Sequence, residues 1–173
     1  MDFTYLKYIK NITSWDGEWA YEYGNNNYFP LTQNSYFRFS FHKSEDNENQ
    51  RGDNHAQNLE KGSLMILSQN KKIEKENNRY LTHIVEVVNE GYEDEPQWYK
   101  KDEDWKNFRW VKVHWIANFN NISSIPVDKE IMKVNWGYQG TLAQSLKASN
   151  LMNEWGNIDS LRNHVESVFK PLI

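Results

Sequence analysis

The chain has 173 residues, no cysteine and a formal net charge of −4, with an isoelectric point of about 5.7. The lack of cysteine excludes disulfides, thiolate nucleophiles and cysteine metal sites. The acidic balance excludes a broad basic footprint, so any grip on nucleic-acid phosphates falls to a local patch or a pocket. No apolar run is long enough to span a bilayer, and Met1-Asp2-Phe3-Thr4 lacks the basic and apolar regions of a signal peptide. The expectation is one cytoplasmic domain over residues 1–173, with no membrane partner. Aromatic residues are unusually frequent, at 15% with eight tryptophans. They supply either a core of large side chains or a stacking surface.

In chain order, Phe3 to Ile12 sets Phe3, Tyr5, Lys7 and Ile9 against Thr4, Leu6 and Tyr8, which predicts a first strand. Ser14 to Trp19 predicts a turn with two tryptophans, and Tyr21, Tyr23 and Gly24-Asn25-Asn26-Asn27 continue as loop. Phe37, Phe39 and Phe41 alternate with Arg38, Ser40 and His42, a strand with one buried face. Ser44 to Asp53 is acidic and free of large apolar residues, a surface loop. Asn54 to Leu59 predicts a short helical turn. Ser63 to Ser68 then reads as a buried strand, Gln69 to Arg79 as a charged loop and Leu81 to Val88 as the returning strand of a central hairpin.

Asn89 to Lys106 is a long charged loop around Trp98, Tyr99 and Trp105, and Arg109 to Ile116 alternates as a strand. Lys133 to Thr141 carries Gly137 and Gly140 and predicts a bent loop, and Leu142 to Met152 predicts a short helix. Asn157 caps a last helix with Ile158, Leu161, Val165, Val168 and Phe169 on one face, ended by Pro171. Five or six strands with short flanking helices make an α+β, barrel-like fold.

Catalytic and cofactor signals are missing. The sequence holds no Gly-x-Gly-x-x-Gly, P-loop, His-Glu-x-x-His or Gly-x-Ser-x-Gly. His42, His55, His83, His114 and His164 are scattered, with no two at metal-ligand spacing. Asp94, Glu95, Asp102, Glu103 and Asp104 read as a solvated charged loop. The expectation is a protein without catalytic residues, metal or cofactor. Three segments instead set aromatics beside amides and hydroxyls. They are Ser14 to Trp19, Asn54 to Asn58, and Asn135 to Thr141. Such a composition suits a pocket for an extruded base, whose face stacks on rings and whose edge meets polar groups. The candidates are Trp15, Trp19, Asn54, His55, Asn58, Trp136, Gln139 and Thr141. Lys71, Lys72, Lys75 and Arg79 in the hairpin are candidate phosphate contacts.

Ala56-Gln57-Asn58-Leu59, Gly62-Ser63-Leu64-Met65-Ile66-Leu67 and Ile84-Val85-Glu86-Val87-Val88 resemble, in order and rough spacing, the EVE branch of the PUA-like superfamily. That superfamily also contains the YTH and SRA domains. The resemblance covers about residues 50–150, with Ser63 where Asp is usual and Gln57 where Arg is usual. It implies a PUA-like small β-barrel in which the three aromatic–amide segments converge at one end, with Ser68 offering a polar group there. It also implies a non-enzymatic reader of a modified base in DNA or RNA. The reader would act stand-alone or as the specificity part of a modification-dependent restriction system, with a nuclease or ATPase as partner or fused domain. Two other readings stay open: a protein-interaction module using exposed Trp and Tyr, and a nucleotide-binding enzyme using the same pocket.

Overall fold

The computed structural model describes residues 1–13, 17–24, 29–41, 56, 58–73, 75–90, 93–94, 107–134 and 143–173. The first strand is shorter than its alternation predicts. Asp2 caps a 3-10 turn over Phe3–Tyr5, accepting from the Thr4 amide at 2.9 Å, and β1 (Leu6–Ile12) begins only after it. β2 (Tyr36–Phe41) follows the alternation, with Phe37, Phe39 and Phe41 buried on one face. β3 (Leu64–Ile73) and β4 (Glu76–Val87) are the expected hairpin.

The segment Gln69 to Arg79 differs from the expected loop. The ladder continues through it, from Gln69 opposite Tyr80 to Ile73 opposite Glu76. Backbone groups pair without apolar neighbours, so polar side chains end the buried part of a strand but not the strand itself. β5 (Glu93–Asp94) and β6 (Asn107–Ile116) come next, then the short α1 (Asp128–Met132). The helix expected from Leu142 splits in two. Gln144–Ser145 is a short β7 on β1, and helix α2 starts at Ser149 and runs to Trp155. The last helix, α3 (Ile158–Phe169), forms as expected. Asn157 Oδ1 accepts from the Ser160 amide at 2.8 Å, and Leu161, Val165 and Phe169 are its buried stripe.

The strands order as β2-β6-β4-β3-β1-β7, with β5 beside the start of β6. β1 and β3 run parallel and the other pairs antiparallel, so the α+β sheet is mixed. Among the described residues the path ends at β2 and β7 without a pairing that joins them. The sheet is nevertheless strongly curled. Four inter-strand spacings of about 4.8 Å would put β1 roughly 19 Å from β2 in a flat sheet. Yet Lys10 Nζ on β1 lies 5.8 Å from the ring centre of Phe39 and 5.5 Å from that of Phe41, both on β2. Register shifts leave one extra residue in three neighbouring pairs: Lys7 in β1, Thr82 in β4 and His114 in β6. Bulges of this kind bend a strand and raise its twist, and here they recur across the middle of the sheet.

Two cores result. The concave face collects Ile12, Met65, Leu67, Val85, Val87, Val111 and Val113 with the three β2 phenylalanines. The convex face packs Leu6, Ile9, Ile66, Ile84 and Trp115 against Leu151, Leu161, Val165 and Phe169 of the helices. No helix among the described residues is long and apolar enough to cross a membrane.

Candidate functional site

The loop over residues 17–24 is fastened to the sheet by two buried side chains. Gln69 donates from Nε2 to the Glu18 carbonyl at 2.7 Å and accepts from the Ala20 amide at 2.8 Å. His83 Nε2 lies 3.0 Å from the Tyr21 carbonyl oxygen, and its Nδ1 lies 2.9 Å from Thr82 Oγ1. A carbonyl only accepts, so the proton sits on Nε2, and the bare Nδ1 shares the single Thr82 hydroxyl proton with the Leu67 carbonyl, 3.3 Å from Oγ1. Burial pushes His83 down to about 4, against the weaker upward pull of its bond to Tyr21. The ring is therefore neutral and works as a clamp. Tyr21 itself sits at φ 56°, the left-handed region a tyrosine seldom adopts. Its ring lies 4.8 Å from Phe37 and 5.4 Å from Phe39, at the mouth of the concave face.

Trp19 is buried, with 8% exposure. It stacks on Phe119 at 5.1 Å, meets Tyr80 edge-on at 5.8 Å and carries the Lys71 ammonium 4.4 Å from its ring centre. The structure thus places Trp19 within the convex core, with its ring engaged by protein on several sides. Ser68 is fully buried, with Oγ 3.4 Å from Asn11 Oδ1 and 3.5 Å from the Lys10 carbonyl. Asn58 is exposed and belongs to the opposite end of the sheet. Its turn leads into Gly62, whose amide donates to Val87 O, four residues along β4 from the His83 clamp and roughly 13 Å away. Trp19 and Asn58 are therefore not brought together. Trp15, Asn54, His55, Trp136, Gln139 and Thr141 lie outside the described residues.

The hairpin cations are only partly at liberty to meet a ligand. Arg79 Nη1 lies 3.2 Å from Asp128 Oδ2, and its Nε donates to Asn70 Oδ1 at 3.3 Å. Lys71 covers Trp19, while Lys72 and Lys75 are exposed.

Two buried cations were not among the expected site residues. Lys10 is 3% exposed on the concave face, and burial lowers its pKa from 10.5 to about 7. Arg109 is fully buried on β6, on the same face as Val111 and Val113. It donates from Nη1 to the carbonyls of Ala56 at 2.6 Å and Leu59 at 2.7 Å, and from Nη2 to that of Asn89. Burial lowers its pKa too, with Glu90 pulling the other way. The sequence signal for both was a cation at an inward position of a strand otherwise apolar on that face.

Described residues within or just after the three aromatic–amide segments fall in one core cluster. Ala20, Ala56, Leu59 and Ala143 all belong to the concave core. They follow or lie within Ser14 to Trp19, Asn54 to Asn58 and Asn135 to Thr141 in the chain. These four described residues thus share one core, while Trp19 joins the other. Among the described residues no three His, Asp or Glu side chains gather as a metal site. No protein-family model matches the chain, and no curated protein matches it at significance.

Proposed function

We propose that the chain is a non-enzymatic reader of a modified nucleotide in DNA or RNA, built on a PUA-like, EVE-type barrel. The observation that carries this reading is that Ala20, Ala56, Leu59 and Ala143, which lie within or just after the three aromatic–amide segments, share one phenylalanine-lined core. The curl that brings Lys10 of β1 over Phe39 and Phe41 of β2 supports a barrel-like enclosure. In this reading Trp15, Asn54, His55, Trp136, Gln139 and Thr141 hold and read the extruded base. Ser68 and Trp19 support the walls from behind, and a nuclease or ATPase partner or fused domain acts on the marked strand. The test is substitution of Trp15 and Trp136 by Ala in a folded protein. Loss of binding to a modified oligonucleotide supports the pocket, and unchanged binding removes both residues from it.

A protein-interaction module is the second reading. It is favoured by Phe29, Tyr23 and Tyr36, which are 81%, 45% and 56% exposed. The Tyr23–Pro30 bridge sets Phe29 near Tyr23, and Tyr36 opens β2, an end strand of the sheet. A tight stoichiometric partner together with no oligonucleotide affinity would favour it.

A further inference from the structure

Away from the hairpin cations, a cleft of about 180 Å³ opens where β1 and β7 meet the start of α3, lined by Lys7, Tyr8, Glu60, Ser145, Lys147, Ile158 and Arg162. The bulge at Lys7 turns the side chains of both Lys7 and Tyr8 toward it. Three of its lining residues are cations and one is an anion. Glu60 is paired with Lys7 at the rim, which sets the one carboxylate of the cleft against one of its three cations.

The remaining groups are donors. Arg162 uses Nε on the Leu6 carbonyl at 2.9 Å and Nη1 on Asp159 at 3.2 Å, which leaves Nη2 without an acceptor among the described residues. Lys147 is exposed, and its ammonium has no acceptor among them either. Ser145 accepts from the Lys147 amide at 3.2 Å and keeps its own proton to give. The Tyr8 hydroxyl is pushed up by burial and then by Glu60, so it stays protonated. The positive end of the α3 dipole adds to the same sign. With the Glu60 carboxylate held by Lys7, the spare donors of Ser145, Lys147 and Arg162 select an acceptor-only, anionic ligand.

We propose that this cleft is a phosphate site, gripped by Ser145, Lys147 and Arg162. It deepens the reader hypothesis and rests on it for one point only, the origin of the phosphate. Ser145 follows Thr141 by four residues and Glu60 follows Asn58 by two, so the cleft adjoins two of the aromatic–amide segments in the chain. That position suits the phosphodiester beside an extruded nucleotide. Free phosphate monoesters carry the same chemistry.

The experiment combines two titrations of the whole chain. Inorganic phosphate, followed by amide and arginine side-chain NMR, is expected to shift Ser145, Lys147 and Arg162 Nε. Short oligonucleotides are titrated into the wild type, Lys147→Glu and Lys170→Glu at several salt concentrations. Lys170→Glu makes the same charge change just past the far end of α3, roughly 12 Å along the helix from Arg162. Lys147→Glu is expected to lower oligonucleotide affinity about tenfold and flatten the salt slope by roughly one contact, with Lys170→Glu near wild type. Phosphate shifts at the cleft without any oligonucleotide affinity keep the site, assign it to free phosphate monoesters and remove the reader. Oligonucleotide binding untouched by Lys147→Glu, with no phosphate shifts at the cleft, overturns the site and leaves the reader standing.

Discussion

The ammonium of Lys10 lies 5.5 Å from the ring centre of Phe41, although three strands separate their own two in the sheet. This contact measures the curl of the sheet and places a cation inside an aromatic enclosure. It also has a thermodynamic consequence. Burial holds Lys10 at about 7 in the folded chain, against 10.5 as the ordinary value. The pKa is depressed, so between those values the unfolded chain binds more protons and stability rises with pH. The slope reaches at most about 1.4 kcal/mol per pH unit. Below pH 7 the full cost of burying the charge persists. Lys10→Met is expected to abolish the slope between pH 7 and 10 and to raise stability at pH 6 by about 2–4 kcal/mol. Urea unfolding across that range checks it, and an unchanged slope in the variant assigns the effect elsewhere.

His83 titrates on the other side of neutrality. Its folded pKa is about 4, below the ordinary 6.5, because the ring is fully buried. Stability from this group is present above pH 6.5 and is lost as pH falls toward 4. The loss amounts to about 3 kcal/mol. His83→Gln keeps a donor within reach of the Tyr21 carbonyl but does not titrate. Its acid limb should be flatter by that amount in unfolding measured from pH 7 to pH 4. A variant with the wild-type acid limb would show that His83 is not the titrating clamp.

Both clamps show what was legible in the sequence. Phe37, Phe39 and Phe41 announced β2, and Asn157 with its apolar stripe announced α3, because period and capping are local. The polar run from Gln69 to Arg79 misled, since a ladder extends past the point where burial stops. Gln69 and His83 carried no local mark of their partners, Glu18, Ala20 and Tyr21, which lie about 50 to 60 residues away in the chain. The site was legible only as composition. Aromatics beside amides named three segments, but Trp19 went to the convex core, where Phe119 and Tyr80 supply its packing.

Arg109 supplies a sharper prediction about the turn near Asn58. Its guanidinium holds the carbonyls of Ala56, Leu59 and Asn89 in a buried setting. Arg109→Met leaves these acceptors unpaired and should cost about 3–5 kcal/mol. Arg109→Lys, which offers a compact charge in place of the fork, should recover less than half. Thermal unfolding of both variants checks the order. Equal stability of Arg109→Lys and wild type would show that the fork geometry is not needed.

The most direct measurement is a titration of the whole chain with short single- and double-stranded DNA and RNA, followed by tryptophan fluorescence. Each strand is used unmodified and with methylated or hydroxymethylated cytosine or N6-methyladenine. A modified-base reader gives saturable quenching by one modified strand and little by its unmodified counterpart, because the extruded base stacks on tryptophan. Equal responses to modified and unmodified strands, or none in a folded protein, would contradict the reader and favour the exposed Phe29, Tyr23 and Tyr36 as a protein-binding face.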